Sequence, residues 1–564
     1  MLILGISTFF MPTPPPVPNP ASQGVSMTQG SIPGASTDAR STSKIPAELN
    51  QKVSLRHKAS TVPVSEVRIE TDDYIATFSN QGAVLTGFQL KKYLNRQSHE
   101  FIQLVNPDPN RPKPFSLRYA PLPDLNQKVF EVEGSSKRLS KSDDKAKLVF
   151  RYVNESGTVL EKSFGLKNGS YLVDFDVTIA QTGGASISEA NLEVEWADTL
   201  GQEENTGTQS RVQGYHVATL AGDRIDSESQ KKSQEPVEIP KPISWTALAN
   251  QFFVAALIPD PSSGGSSAKI LRDFNAFKPP TADNPNPEVD PKTFSPRPLL
   301  VFAGQGLKKG ESFQRKAQVF LGPQDFALLK GLNLQLERIV DFGMFGFISV
   351  YMLALLKWFD TWSHNWGLAI ILLSIAVKLA LWWPTHNSYK NMAQTQSKMK
   401  AIQPKLEAIK RKYAEDKQEQ QKQTMALYSQ AGINPMGGCL PMLLQMPVFF
   451  ALYSTLSHSI ELRGASFLWL GDLTLRDPYY VFPLLMGVTM IVQQRVSGQM
   501  ATQAAGQQKM MMWMMPILLT FISFQWPGGL LVYWVVTNLL SMLQQKVVNR
   551  EIQKAKKKDE GIKS

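Results

Sequence analysis

The sequence has a single cysteine, Cys439, and six histidines scattered along 564 residues. One cysteine cannot form a disulfide within the chain, so cysteine usage indicates neither an oxidising nor a reducing compartment. No cysteine and histidine cluster has the spacing of a zinc site, and no nucleotide-binding motif of the form G-x-x-x-x-G-K-[ST] occurs. We therefore expect no metal and no cofactor, and no chemistry driven by nucleotide hydrolysis.

Long hydrophobic runs are also missing, since no apolar stretch is longer than the ~20 residues that cross a bilayer core of ~30 Å. Five stretches nevertheless give the second half of the chain the Leu, Met, Phe and Trp content of a membrane protein. They are residues 366–384, 437–456, 479–492, 510–526 and 529–543. We predict an α-helical membrane bundle with five clear transmembrane helices, several of them short.

The first sixty residues differ in composition from the rest of the chain. Residues 1–10 are apolar but half as long as a span, and we interpret them as a remnant or partial first transmembrane segment. Residues 11–60 are rich in Pro, Ser and Thr, and they contain too few apolar side chains to bury a core. We predict a disordered linker there.

Residues 61–325 show the period of two that is typical of strands with one buried face and one solvated face. The alternation is clearest in residues 173–179 and 192–196, where we expect Glu193 and Glu195 to face water. Turn residues separate such runs, as at Asn80-Gln81-Gly82 and Asn168-Gly169. Many short alternating strands indicate an all-β sandwich domain.

Basic residues predict the topology of the membrane part. Nine Lys and Arg residues lie in residues 385–436 and seven follow Leu543, within a net charge of +11. The positive-inside rule then makes 385–436, predicted as a helical hairpin, and the tail 546–564 cytoplasmic. Five crossings between them make the β-domain periplasmic, in a Gram-negative cell. Residues 339–359 are apolar but contain Asp341 and Lys357, so we expect an interfacial amphipathic helix region, residues 326–364, in the outer interface.

The stretch 434–453 reads NPMGGCLPMLLQMPVFFALY. It resembles the third-span signature of the YidC/Oxa insertase family, and residues 461–463, 477–480, 485–490 and 526–530 follow in that family's order. The resemblance covers nearly the whole chain from about residue 62. It implies that the periplasmic domain is a β-supersandwich, of which residues 245–259 look like one segment, and that residues 365–545 form the insertase core.

The same resemblance implies a function. The chain is expected to be an inner-membrane insertase and chaperone rather than an enzyme. Its implied partners are nascent membrane proteins, the Sec translocon, the ribosome and the lipid bilayer. A solvated basic tail is the alternative to a ribosome contact, and a solvated hairpin is the alternative to a substrate-receiving one.

Lys378 lies inside the predicted span 366–384. A lysine at the centre of a span costs about 2.5–3.5 kcal/mol on insertion scales, unless it faces a water-filled cavity. The alternative is snorkelling, since the end of the span is ~9 Å away at 1.5 Å per residue. The resemblance implies a basic residue in a hydrophilic groove. Arginine is usual there, and lysine lacks its bidentate fork.

Other polar and aromatic residues complete the predicted site. Ser374 lies one turn before Lys378, and Gln445 and Asn538 lie within other predicted spans, so we predict that they line the same groove. Hydrogen bonding between helices is the alternative. Met446, Phe449 and Trp534 match the positions of the family's hydrophobic slide, and ordinary packing or lipid contact is the alternative.

Two other functions remain open at this point. A small-solute secondary transporter would need paired charges at the midplane and internal symmetry, and the sequence has neither feature in evident form. A sugar-binding or sugar-processing β-domain would need a convincing carboxylate pair, and we find none in the sequence.

Overall fold

The computed structural model describes residues 43–44, 62–95, 99–105, 112–196, 200, 215–229, 235–240, 242–274, 294–433, 440–497 and 506–561. The predicted partial first segment, nearly all of the predicted linker and motif residues 434–439 lie outside the described residues. The described part of the chain up to Pro323 consists mainly of strands, and the part from Phe326 onward consists mainly of helices.

We call residues 62–323 the β-domain. Its strands, together with the short β1, are β1 (Ser43–Lys44), β2 (Glu66–Glu70), β3 (Tyr74–Ser79), β4 (Val84–Leu94), β5 (Phe101–Gln103), β6 (Ser116–Tyr119), β7 (Glu131–Glu133), β8 (Lys137–Arg138), β9 (Lys145–Val153), β10 (Thr158–Lys167), β11 (Leu172–Gln181), β12 (Leu192–Glu195), β13 (His216–Ala221), β14 (Arg224–Ser229), β15 (Val237–Ile239), β16 (Trp245–Ala249), β17 (Phe253–Pro259), β18 (Ser266–Phe274), β19 (Phe294–Phe302) and β20 (Glu311–Pro323).

Three sheets form the β-domain. The largest has the order β14-β13-β16-β17-β20-β11-β10-β9-β7, with β1 also paired to β20. The other two have the orders β15-β18-β19-β12-β6 and β5-β4-β3-β2-β8. All described pairings are antiparallel except that of β2 with β8. In the centre of the largest sheet, Phe164 on β10 lies opposite Phe175 on β11, and both side chains are buried.

The period-two prediction is confirmed for β11, where Val173, Phe175, Val177 and Ile179 are all buried. The predicted turns are also present, because β3 gives way to β4, and β10 to β11, through glycines at positive φ, Gly82 and Gly169. That backbone conformation is easy for glycine and strained for other residues.

The prediction for Glu195 is wrong. Glu195 is 2% exposed, because Arg118 and Arg297 approach its carboxylate from β6 and β19 on either side of β12. The Arg118 Nε atom lies 3.1 Å from a carboxylate oxygen. The two guanidinium groups supply the hydrogen bonds that water would otherwise provide, so the carboxylate can be buried.

The described helices are α1 (Phe326–Gly331), α2 (Gly346–Ser363), α3 (Trp366–Ala380), α4 (Trp382–Lys412), α5 (Lys417–Gln430), α6 (Leu440–His458), α7 (Val481–Val496), α8 (Gly506–Ser523) and α9 (Gly528–Gly561). Helix α2 lies in the predicted interfacial region, and α4 with α5 lies in the predicted hairpin. Capping side chains set several starts. The Asn365 side chain accepts a hydrogen bond from Leu368 N–H at the start of α3, for example.

The predicted span 366–384 is interrupted. Helix α3 ends at Ala380, and α4 starts at Trp382 with a bend of 65° between the two axes. Pro384 accounts for the break, because its ring has no N–H for the carbonyl of Ala380 and collides with that carbonyl in a straight helix. The last predicted span, by contrast, runs on to Gly561, well into the predicted tail.

Length and hydropathy do not confirm five clear transmembrane helices. Within the described residues, no individual helix is both long and apolar enough to cross a bilayer, and the bent pair of α3 and α4 passes that test only when taken together. Val481–Val496 and Met514–Ser523 are shorter apolar segments. The number of crossings therefore stays a prediction.

Two large hydrophobic cores are present among the described residues, besides a small cluster of Tyr389, Met392 and Val548. The first fills the β-domain and extends into the helical part as far as Leu353 of α2 and Ile460, which follows α6. The second lies among α2, α3, α6, α7 and α9, and includes Leu373, Leu452 and Leu531. The helices around this second core carry every residue of the predicted groove and slide.

Candidate functional site

Lys378 lies on α3 with its side chain directed into the helical bundle, 6% exposed. Its ammonium Nζ donates a hydrogen bond of 2.9 Å to Ser541 Oγ on α9. It also lies 5.6 Å from the centre of the Tyr389 ring on α4, within the range of a cation–π contact. The amine is therefore held between three helices rather than extended along α3.

The other predicted groove residues have separate partners. Ser374 is buried one turn from Lys378 and donates to the carbonyl of Ile370 in its own helix. Gln445 on α6 donates through Nε2 to Tyr533 Oη on α9, at 2.6 Å. Asn538 on α9 donates through Nδ2 to Thr489 Oγ1 on α7, at 3.0 Å. The four residues thus occupy the inner faces of α3, α6 and α9, and only Lys378 and Ser374 are neighbours along one helix.

The predicted slide residues lie where α6 faces α9. The rings of Phe449 and Trp534 meet edge to face at 4.9 Å between centroids. Trp526 completes a triangle with them, 5.6 Å from Phe449 and 5.5 Å from Trp534. Met446 lies one turn before Phe450 and is more than one third exposed. This side of the α6–α9 contact is thus aromatic and partly open.

Sequence reasoning missed several polar residues beside Lys378. Ser541 is its hydrogen-bond partner, and Gln544, one turn further along α9, is fully buried and exchanges hydrogen bonds with Thr385 of α4. Near the end of this polar row, His386 of α4 lies 3.1 Å from the carboxylate of Glu551. Ser541, Gln544 and Glu551 are spaced by three and seven residues and so lie on one face of α9, which a period search extended beyond residue 543 would have found.

Large apolar side chains are exposed along much of the helical part. Among the described residues, only Val64, Leu94, Phe101 and Val153 are exposed large hydrophobic side chains in the β-domain, and all others of this kind follow from Met344 onward. Apolar patches of this extent are typical of surfaces that meet lipid or protein. No group of three His, Cys, Asp or Glu residues in the described parts of the chain is arranged to hold a metal ion.

Comparisons with known proteins agree with this arrangement. The family model for the YidC periplasmic domain matches residues 66–355, and the model for the 60Kd inner membrane protein matches residues 358–557. Their boundary falls inside α2. Together the two models account for both structural parts of the chain.

Curated relatives match the chain along nearly its whole length. The membrane protein insertase YidC of Geobacter metallireducens is 32% identical over 98% of this chain and 97% of its own. The proteins of the same name from Syntrophus aciditrophicus and Oleidesulfovibrio alaskensis are 30% and 32% identical, over 98% and 85% of this chain and 97% and 85% of their own. These relatives are named for an insertase function, which is not an enzymatic reaction.

Among solved structures, a crystal structure of an active YidC insertase with its first transmembrane domain resolved is 19% identical. It covers 85% of this chain and 93% of its own, with a TM-score of 0.34. A putative aldose 1-epimerase from Escherichia coli is 11% identical over 46% of this chain and 99% of its own, with a TM-score of 0.27.

An all-β domain joined to short apolar helices that enclose polar side chains, with these matches, defines an inner-membrane protein that has a large periplasmic domain. The class is that of the non-enzymatic membrane protein insertases. Within that class, the chain belongs to the YidC family. The roles predicted for Lys378, Ser374, Gln445, Asn538, Met446, Phe449 and Trp534 stay predictions.

Proposed function

We propose that this chain inserts and folds integral proteins of the inner membrane through a hydrophilic, positively charged groove around Lys378, alone or with the Sec translocon. The observation that carries the proposal is the unfilled hydrogen-bonding capacity of that amine. An ammonium group has three N–H donors. Within the described residues, Lys378 uses one of them, on Ser541.

A buried cation with spare donors attracts an acidic or polar partner strongly, because the Coulomb energy grows as water is excluded. In the proposed mechanism, the hydrophilic flank of a nascent chain enters from the cytoplasm and approaches Lys378. Ser374 and the hydroxyl of Ser541 offer further polar contacts on the same inner surface. Gln445 and Asn538 form the side walls of the groove and keep their bonds to α9 and α7.

The apolar part of the substrate leaves sideways. Met446, Phe449 and Trp534 are proposed to receive it at the α6–α9 contact, where the aromatic triangle offers an apolar surface next to the polar row. Transfer of apolar surface into lipid supplies the driving force, at about 25 cal/mol per Å² of buried area. Short helices also favour local thinning of the bilayer, which shortens the polar crossing.

The cytoplasmic side is proposed to receive the substrate. Helices α4 and α5 form the basic hairpin of the prediction, and the tail contributes Lys554, Lys556, Lys557 and Lys558. Clusters of this kind bind ribosomal RNA or anionic lipid through phosphate contacts. We propose the ribosome as a partner at this side of the membrane, and the Sec translocon as a further partner of the insertase.

The test depletes the protein in its own cell and follows protease protection of short two-span membrane proteins. Insertion is expected to fail on depletion and to return with the parent chain. Normal insertion under full depletion would refute the proposed function.

A second arm tests the groove. Lys378→Ala is expected to impair clients whose translocated segment carries acidic residues more than the same clients with those residues neutralised, whereas Lys378→Arg is expected to keep function. Lys167 is an exposed cation at the end of β10 in the β-domain, away from the proposed groove and hairpin, so Lys167→Ala is the matched control. Equal loss for acidic and neutralised clients would contradict a Coulombic role for Lys378.

A further inference from the structure

The periplasmic end of α6 is joined to the β-domain by polar contacts on two sides. Lys357 of α2 lies 3.2 Å from Asp325 Oδ1, directly after the last strand of the β-domain. The same ammonium is in contact with the carboxylate of Glu461, in the turn that follows α6. One cation therefore connects the end of the β-domain to the loop at the end of α6.

A second contact comes from the turn between β16 and β17. Gln251 donates through Nε2 to the carbonyl of Ser457 in the last turn of α6, at 2.7 Å. Carbonyls in the last turn of a helix have no partner within the helix, so this side chain satisfies one of them. Close by, the guanidinium of Arg463 lies 5.6 Å from the centre of the Phe253 ring at the start of β17.

Hydrophobic packing also joins the end of α6 to the β-domain. Ile460 lies between Ser457 and Glu461 and is 2% exposed, and it belongs to the hydrophobic core of the β-domain rather than to that of the helices. Helix α2 is also bonded to α6. Ser349 Oγ donates to the carbonyl of Ala451 at 3.0 Å, and Thr455 Oγ1 donates to the carbonyl of Ser349 at 3.2 Å.

Pro447 divides α6 into two halves. A proline inside a helix removes one backbone hydrogen bond, which weakens the backbone coupling between the residues before it and those after it. Phe449 lies in the second half, eight residues or ~12 Å from Ser457 at 1.5 Å per residue. The contacts at the end of α6 thus act on the half that carries Phe449.

We propose that Lys357 and Gln251 are positioning residues of the insertase, which fix the second half of α6 against the periplasmic domain and so set the place of Phe449 at the α6–α9 contact. The expected effect on insertion rests on the proposed function, whereas the expected effect on the position of α6 does not. Burial lowers the pKa of Lys357, and Glu461 and Asp325 raise it by more, so the amine keeps its charge at neutral pH.

The experiment compares four full-length variants in lipid vesicles, Gln251→Ala and the three that follow. Lys357→Gln removes the charge, Lys357→Arg retains it, and Arg224→Gln removes a cation from an exposed ion pair with Asp226 in the β-domain. Hydrogen exchange is read separately in residues 448–463 and in β10 and β11, and insertion of a two-span client is measured in the same vesicles.

Lys357→Gln is expected to raise exchange in residues 448–463 by roughly 5- to 30-fold, the factor that corresponds to one or two kcal/mol. Exchange in β10 and β11 is expected to stay unchanged, and insertion is expected to fall several-fold. Lys357→Arg should restore both quantities, and Arg224→Gln should change neither. Gln251→Ala is expected to act in the same direction as Lys357→Gln.

Three outcomes would overturn the proposal: unchanged exchange in 448–463, an equal rise in β10 and β11, which would indicate general destabilisation, or raised exchange with normal insertion. If the parent chain itself inserts nothing in these vesicles, the proposed function fails. The exchange pattern of Lys357→Gln still decides whether Lys357 positions α6.

Discussion

Two buried lysines distinguish the β-domain from the helical part. Lys162 on β10 is fully buried, and its ammonium donates to three carbonyls, those of Gly82 at 2.7 Å, Ala83 at 3.2 Å and Phe115 at 2.8 Å. Lys378 on α3 is nearly as buried, yet the described residues give it one hydrogen-bond acceptor, Ser541. The first amine has all its donors occupied, and the second has donors to spare.

The difference indicates a different role for the buried lysine in the β-domain and in the helical part. In the β-domain, a closed set of contacts around Lys162 joins β10 to the β3–β4 turn and to the segment before β6, so the cation supports the fold. In the helical part, polar groups are buried beside the hydrophobic core, and many large apolar side chains are exposed, which is unusual for a soluble domain. An incompletely satisfied cation in such an interior is suited to a transient partner.

The largest expected effect is at Lys162. Lys162→Met keeps the apolar stem and leaves three buried carbonyls without a donor, so we expect the β-domain to lose roughly 3–5 kcal/mol of its free energy of unfolding, as when a buried charged network loses one partner. Hydrogen exchange of β3, β4 and β10 in the full-length protein measures the loss. Lys147→Met, on the exposed side of neighbouring β9, is the control. A loss below 1 kcal/mol would show that the three contacts add little.

The same residue predicts a pH dependence. Burial lowers the pKa of Lys162 to about 7. Between that pH and the usual lysine pKa of 10.5, the unfolded chain binds more protons than the folded chain, so stability rises with pH, by up to about 1.4 kcal/mol per unit. Below pH 7 the contribution is constant.

Denaturant unfolding of the β-domain from pH 7 to pH 9 checks this slope, and Lys162→Met should flatten it. A flat profile for the parent chain would mean that the three carbonyls hold the ammonium in its charged form throughout this range. In that case the amine resists deprotonation as a surface lysine does, despite its burial.

Lys378→Met tests the other half of the comparison, that Lys378 contributes to function more than to stability. Because the described residues give the amine one hydrogen bond and one cation–π contact, and the methionine fills the space, we expect less than about 1 kcal/mol of change in the stability of the helical part. Insertion of clients with acidic translocated segments is expected to fall about tenfold, which corresponds to 1.4 kcal/mol. Protease protection in vesicles measures insertion. A large loss of stability, with unchanged insertion per folded molecule, would give Lys378 the structural role of Lys162.

Much of this arrangement is predictable from local patterns. Alternation is a property of neighbouring residues, and it predicted the buried face of β11 correctly. Alternation predicts the wrong side for Glu195, because the residues that bury it, Arg118 and Arg297, are 77 and 102 positions away in the sequence. No local window contains the partners that make a buried carboxylate stable.

The candidate site also combines residues that have a local sequence signal with residues that have none. Lys378 has a local sequence signal, because a cation within an apolar run is anomalous by itself. Ser541 has no such signal, because a serine becomes significant only once α9 is packed against α3. The break between α3 and α4 had a local signal in Pro384, but that signal is ambiguous, since a proline is tolerated in the first turn of a helix as well as at the end of one.

The smallest expected effect is at Asn538, which tests where the groove ends. Its amide already donates to Thr489, so by the logic that separates the two lysines it has a structural partner and little capacity for substrate. Hydrogen bonds between membrane helices contribute about 0.6 kcal/mol on average. Asn538→Leu and Thr489→Val should each lower stability by about that amount, and the double variant by no more than either, because both remove the same bond.

Insertion should change less than about twofold in these variants. A double-mutant cycle on unfolding, run beside the insertion assay, measures both quantities. An insertion defect at Asn538 that is absent at Thr489 would instead extend the substrate-contacting surface from Lys378 along α9 to the α7 side of the bundle.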